Sequence, residues 1–210
     1  MQVQALRPVV LEAVRSDGMA LVHASEPLRD DEELVRTAVR LWGGALEHAS
    51  ARLRAHRGVV LAAVERCGTA LRYAAAELRA DRQVALAAVG NDGLALAHCG
   101  VALRGDRELV LAAVASQGSA LAHAAGHLQA DEEVVLVAVR RRGAALRYAA
   151  PKLRASKRLV LEAARTWSGA LSAAPGLKND QESGDFGWFS RDCRRFWAKN
   201  RPFSSFPVGL

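Results

Sequence analysis

LRGDRELVLAAVASQGSALAHAAGH, residues 103–127, decides the fold. Displaced by 25 residues it returns as LRADRQVALAAVGNDGLALAHCGVA (78–102) and as LQADEEVVLVAVRRRGAALRYAAPK (128–152). The block can be followed seven times from Val3 to about Leu177 without an insertion or deletion. Self-similarity at a fixed short period is the mark of a repeat architecture, in which each unit packs only on its neighbours.

The columns of the repeat define the unit. An apolar block starts at Val9, Leu34, Val59, Val84, Leu109, Val134 and Leu159. Before it lies a column of Asp31, His56, Asp81, Asp106, Asp131 and Ser156; aspartate and serine accept from the free amides of a first helical turn. After it comes glycine at 18, 43, 68, 93, 118 and 143, read as the left-handed residue that ends a helix. Ala-Leu follows in every unit, with alanine or Cys99 three positions after that leucine. A further leucine stands seven positions after it in six units (Leu28 to Leu153), one face of a second, shorter helix. Pro27 and Pro151 interrupt that second segment, which is therefore expected to be a short helix of one to two turns, a break, and a tight turn carrying the leucine into the next cap. The expectation is an all-α solenoid of about seven 25-residue two-helix units over residues 3–177. In unit 1, Leu6 occupies the cap position and Pro8 enters the first turn.

These columns resemble a short repeat known as domain of unknown function 4116, whose units read approximately L-x-x-D-x-x-x-V-L-x-A-V-x-x-x-G-x-A-L-x-x-A. Leu103, Asp106, Val110, Leu111, Ala113, Val114, Gly118, Ala120, Leu121 and Ala124 carry the match. Arg36 in the leucine column, Ala85 in the valine column and His56 in the cap column depart from it. The resemblance implies an all-helical repeat protein; it brings no activity, cofactor or catalytic residue.

From Lys178 the period is lost. The tail, 178–210, holds seven of the eleven aromatic residues among glycine, serine, proline and charge, too little for a packed domain of its own. A poorly ordered end, a segment folded over the last unit and a short docking peptide are the readings that stand.

Composition narrows the function. No apolar run approaches the roughly 18–20 residues of a membrane span, and the amino-terminal stretch lacks the pattern of a secretory signal. Three cysteines, Cys67, Cys99 and Cys193, fit neither a disulfide framework nor a zinc site, so an intracellular, reducing compartment, cytoplasmic or nuclear, is expected. His23, His48, His98 and His123, with Tyr73 and Tyr148 in the same column, are spaced by one unit, on the order of 10 Å. Metal ligands must converge to about 2 Å of one ion, so no metal is expected, and no cofactor. No nucleophile has a matched base and the glycines form no phosphate-cradling cluster, so no enzyme is expected.

Binding is the remaining class. The net charge of +7 favours an acidic partner. Arg29, Arg54, Arg79, Arg104 and Arg154 recur, broken only by Gln129, and could track phosphates or hold an acidic peptide. Against this, acids such as Asp31, Asp81 and Asp106 two positions on, or one in an adjacent unit, could pair with them. Between residues 140 and 165 bases prevail: Arg140, Arg141, Arg142, Arg147, Lys152, Arg154, Lys157, Arg158 and Arg165 against Glu162. The position before the glycine varies (Asp17, Trp42, Cys67, Asp92, Gln117, Arg142, Trp167), so Trp42 and Trp167 are contact or packing residues. The expected function is a noncatalytic scaffold for a protein or acidic peptide, with nucleic-acid binding as the alternative.

Overall fold

The computed structural model describes residues 2–167 and Ala170. The tail 178–210 and the three readings given for it lie outside the described residues. The long helices run Gln2–Ser16, Glu32–Leu41, Arg57–Arg66, Arg82–Asn91, Arg107–Ser116, Glu132–Arg141 and Lys157–Ala164, one to each of units 1 to 7. In units 1 to 6 a 3₁₀ helix follows (Gly18–His23, Gly43–His48, Gly68–Tyr73, Gly93–His98, Gly118–His123, Gly143–Tyr148). A single turn then closes the unit: α-helical at Glu26–Arg29, Ala51–Arg54, Ala76–Arg79, Gly126–Gln129 and Pro151–Arg154, and 3₁₀ at Leu103–Gly105. Among the described residues there is no strand.

The short helix and the tight turn expected after it are thus two pieces with a break between them, the short helix being 3₁₀. Two extended residues separate them, such as Ala74 (ψ 154°) and Ala75 (ψ 154°). Pro27 and Pro151 fall in the first turn of the closing helix, where the missing N–H costs nothing. The final leucine of each unit sits on that closing turn and folds inward; Leu28, Leu53, Leu103 and Leu128 are buried.

Each long helix packs on the long helices before and after it, and on the 3₁₀ helix of the preceding unit; no substantial contact joins units two apart. Between the two layers runs one interior of alanine, valine and leucine, in which no polar side chain is buried among the described residues. Ala85, where every other unit carries valine, is fully buried. Arg36 stands in a column that is only half-buried elsewhere (Leu61, Leu86, Leu111, Leu136) and turns its head to Glu32 at 3.3 Å.

The glycine column has a different cause from the one expected. None of these glycines is left-handed. Each helix is instead ended by the extended residue before the glycine, as at Asp92 (φ −142°, ψ 111°), which begins the 3₁₀ helix. Glycine is required because the next unit lies against it. A Cβ on Gly68, Gly93, Gly118 or Gly143 would fall 2.3–2.4 Å from the carbonyl oxygen of Ala88, Ala113, Ala138 or Ala163. That alanine is itself fully buried. The glycine and alanine columns are the two sides of one close approach.

Polar groups repeat the same joint. The amides of Ser50, Ala75, Gly100, Ala125 and Ala150 donate to the carbonyls of Arg29, Arg54, Arg79, Arg104 and Gln129 of the preceding unit, at 2.8–3.0 Å. Along the outer edge, Asp31, Asp81, Asp106 and Asp131 cap their helices through backbone amides. His56 and Ser156, in the same column, make no side-chain cap. The capping carboxylates also receive an arginine from the unit before: Arg7 to Asp31 (2.5 Å), Arg57 to Asp81 (3.3 Å), Arg82 to Asp106 (2.9 Å) and Arg107 to Asp131 (3.1 Å). Three of these arginines bridge onward to Glu33, Glu108 and Glu133, and Arg57 reaches Gln83. At the last joint the charges exchange places, and Arg158 reaches back to Glu132 at 3.1 Å.

Arg82 holds the Asp106 carboxyl below its ordinary range, joined by the amides of Leu109 and Glu108. At Asp31 the leading cause is again the arginine, and at Asp81 it is the amide of Val84. A carboxylate whose folded value is depressed stabilises the fold above its unfolded value of about 4 and loses that contribution as pH falls through the folded value. The unfolding midpoint should therefore hold from pH 7 to 5 and fall below pH 4. Asp106→Asn keeps a capping acceptor but no charge, so its deficit against wild type should shrink as pH falls; a pH-independent deficit would contradict the ladder. Gly93→Ala should cost about 1–3 kcal/mol in urea unfolding through overpacking. Gly90→Ala, within a helix and with nothing within 4 Å of the new methyl, should be neutral or stabilising.

Candidate functional site

The 3₁₀ layer presents one continuous band. Its rim is the variable residue that joins each long helix to its 3₁₀ helix. Its centre is the histidine and tyrosine column at the 3₁₀ ends, half-buried at His48, Tyr73, His98, His123 and Tyr148. Its far side is the column of Arg29, Arg54, Arg79, Arg104 and Arg154, all half-buried.

At the head of the arginine column, Arg29 folds back on its own unit. Arg29 donates from Nε to the Ala24 carbonyl (2.9 Å) and from Nη2 to the Val22 carbonyl (2.8 Å). Gln129 does equivalent work, its Nε2 lying 3.1 Å from the Leu121 carbonyl oxygen. The Nε atoms of Arg54, Arg79, Arg104 and Arg154 are buried and make no hydrogen bond. This side of each guanidinium is closed to a ligand, which leaves the outer nitrogens. The pairing expected from sequence, with Asp31, Asp81 and Asp106, is also corrected. Those carboxylates belong to Arg7, Arg57 and Arg82 of the preceding units, because cap and arginine meet across the joint.

The basic third divides. Arg140 pairs with Glu162 (3.3 Å) and Arg141 donates to the Ser116 carbonyl (3.1 Å). Arg158 and Arg165 pair with Glu132 and Glu162, both at 3.1 Å. Arg142 is exposed, with no carboxylate partner among the described residues. Arg147, also exposed, lies over the Trp167 ring at 5.5 Å. Trp42 and Trp167 are half-buried against the core. Trp42 covers Gly44 and tilts toward His48, with ring centroids 6.2 Å apart. The band's carboxy-terminal end thus gathers Arg142, Arg147, Tyr148, Arg154 and Trp167.

In the middle of the band, the column that holds Val22, Glu47, Arg72 and Arg147 shrinks to Ala97 and Ala122. His98 there is held below its ordinary value, first by burial and then by the positive charge of Arg72, His123 and Arg79, which Asp92 partly opposes. Arg72 lies 4.4 Å over the Tyr73 ring and donates to its hydroxyl. Burial pushes the Cys99 thiol up to about 11, so it stays protonated and unreactive. Among the described residues no cluster of three His, Cys, Asp or Glu side chains could hold a metal. No helix there is long and apolar enough to cross a membrane.

The ladder arginines Arg7, Arg57, Arg82 and Arg107 were not singled out from the sequence. The signal was present: each stands 24 residues before an aspartate, and in three cases 26 before a glutamate.

Single-file stacking, a period of 25 and a purely apolar interior define a helical-repeat protein. The profile of the Domain of unknown function (DUF4116) matches residues 7–54, 56–104 and 106–154, each match spanning two units, and the chain belongs to that family. No curated protein matches the chain. No solved structure matches it either.

By NMR, the His98 imidazole should titrate below the ordinary value of about 6.5. Arg72→Gln should move it upward only partly, since burial is the larger cause. A wild-type midpoint at or above 6.5 would contradict the described burial.

Proposed function

We propose that this chain is a noncatalytic scaffold that binds an extended acidic segment of a protein along the band, anchored at its carboxy-terminal end. The observation that carries the reading is the contrast among the arginines between 140 and 165. Arg140, Arg141, Arg158 and Arg165 are spent on intramolecular partners, while Arg142 is exposed with no carboxylate partner among the described residues and Arg147, also exposed, lies over the Trp167 ring. Arginine and aromatic side chains in one half-buried patch are the types that dominate binding energy at protein interfaces. The free thiols Cys67 and Cys99 fit a reducing, intracellular setting.

Nucleic-acid binding is the second reading, favoured by the net charge. It is weaker because neither recurring arginine column is fully open to phosphates. One column closes ion pairs, and the other turns its Nε inward. A protein that neutralises many phosphates loses affinity steeply with salt.

Fluorescence anisotropy with a labelled peptide of alternating glutamate and leucine, beside a single-stranded RNA of similar length, tests the choice. The peptide should bind, and Arg142→Ala with Arg147→Ala should weaken it about tenfold. RNA binding with a steep salt slope and no peptide binding would replace this reading with the second. Peptide affinity unchanged in the double variant would remove this end of the band from the site.

A further inference from the structure

Charge on the band is sorted along the array. Among units 1 to 6, only Asp17 and Arg142 are exposed in the column before the glycine; Trp42, Cys67, Asp92 and Gln117 between them are half-buried. In the column of Val22, Glu47, Arg72 and Arg147 are exposed, and units 4 and 5 carry Ala97 and Ala122. On the closing turns that border the band, Glu77 of unit 3 and Lys152 of unit 6 share a column, both exposed. Each of these three columns thus has an acid within units 1 to 3 and a base in unit 6.

None of those six side chains closes an ion pair among the described residues. The other charges in these columns are used locally. Asp92 caps the amide of Leu94, Arg52 pairs with Asp30 at 3.0 Å, and Arg72 lies over the Tyr73 ring within reach of the Glu47 charge. Glu77 and Lys152 are three units apart, on the order of 30 Å by ordinary helix packing. That is several times the screening length of about 8 Å at physiological salt. The two ends therefore do not neutralise each other, and each acts on its own part of a bound chain. A segment acidic along its whole length would meet like charge over units 1 to 3.

We propose, resting on the reading of the band as a protein-binding surface, that the segment held there is bipolar. Its acidic block lies on unit 6 and its basic block on units 1 to 3. Roughly nine uncharged residues of extended chain span the distance between the blocks. Ala97 and Ala122, small and uncharged, underlie that middle stretch.

Fluorescence anisotropy on the full chain with three labelled peptides of equal length tests it. The first joins a glutamate block to a lysine block through a glycine and serine spacer of about nine residues. The second has serines in place of the lysines, and the third has the first's composition with glutamate and lysine alternating. The bipolar peptide should bind about tenfold tighter than the acid-only one, because two contacts on one chain reinforce each other. It should also bind tighter than the alternating one. Glu47→Lys with Glu77→Lys, both at exposed sites, should erase the gain without weakening the acid-only peptide or changing the circular dichroism spectrum. Acid-only binding with no gain from the lysine block overturns the bipolar segment and leaves the preceding reading standing. A gain that survives the double variant, or an alternating peptide that binds as tightly, overturns it as well. Failure of all three peptides to bind overturns both.

Discussion

The structure depends on one close approach, that of each unit's glycine to the carbonyl oxygen of the next unit's buried alanine. Nothing larger than hydrogen fits at Gly68, Gly93, Gly118 or Gly143, since a Cβ would lie within 2.4 Å of that oxygen. This distance fixes how near successive units sit. The interior follows from it: with backbones so close, only small and medium side chains fill the space, and the core is alanine, valine and leucine throughout. The backbone bond from one unit's closing turn to the next is set by the same spacing. Stability is then distributed, a sum of unit and nearest-neighbour terms.

Electrostatics divides the arginines by function. Those that open a long helix bind across the joint to the next unit's capping aspartate, reinforcing a contact whose energy is largely apolar. Such pairs are half-exposed, so each adds little by itself, but they specify which unit follows which. The exchange of charge at Glu132 and Arg158 keeps the pairing while reversing its sense. Among the arginines that close a unit, Arg29 bonds the Ala24 and Val22 carbonyls, while Arg54, Arg79, Arg104 and Arg154 turn a buried Nε inward. Arg142 and Arg147 stay exposed at the carboxy-terminal end of the band and Arg72 in its middle.

Much of this was legible in the sequence. The period, the aspartate caps and the apolar columns gave the long helices and the stacking, because register in a repeat is written many times over. The glycine column was read as a helix end. It is a contact between units, which no single unit's sequence can display. The break after the short helix is legible from Pro27 and Pro151, and in the structure two extended residues, such as Ala74 and Ala75, make it. The arginine ladder was overlooked for a related reason. Its partners lie 24 and 26 residues away, and local pairing drew attention to the wrong column. On the candidate band, sequence located Arg142, Arg147 and Trp167 but could not tell that Arg140 and Arg141 were already engaged.

The central claim, that units stack in single file through this joint, is tested most directly by residue-resolved amide hydrogen exchange. The amides of Ala75, Gly100 and Ala125, each donating to the preceding unit's carbonyl, should be protected as strongly as amides inside the neighbouring long helices. Exchange at those three positions as fast as in an open loop, with the helices still protected, would contradict the account.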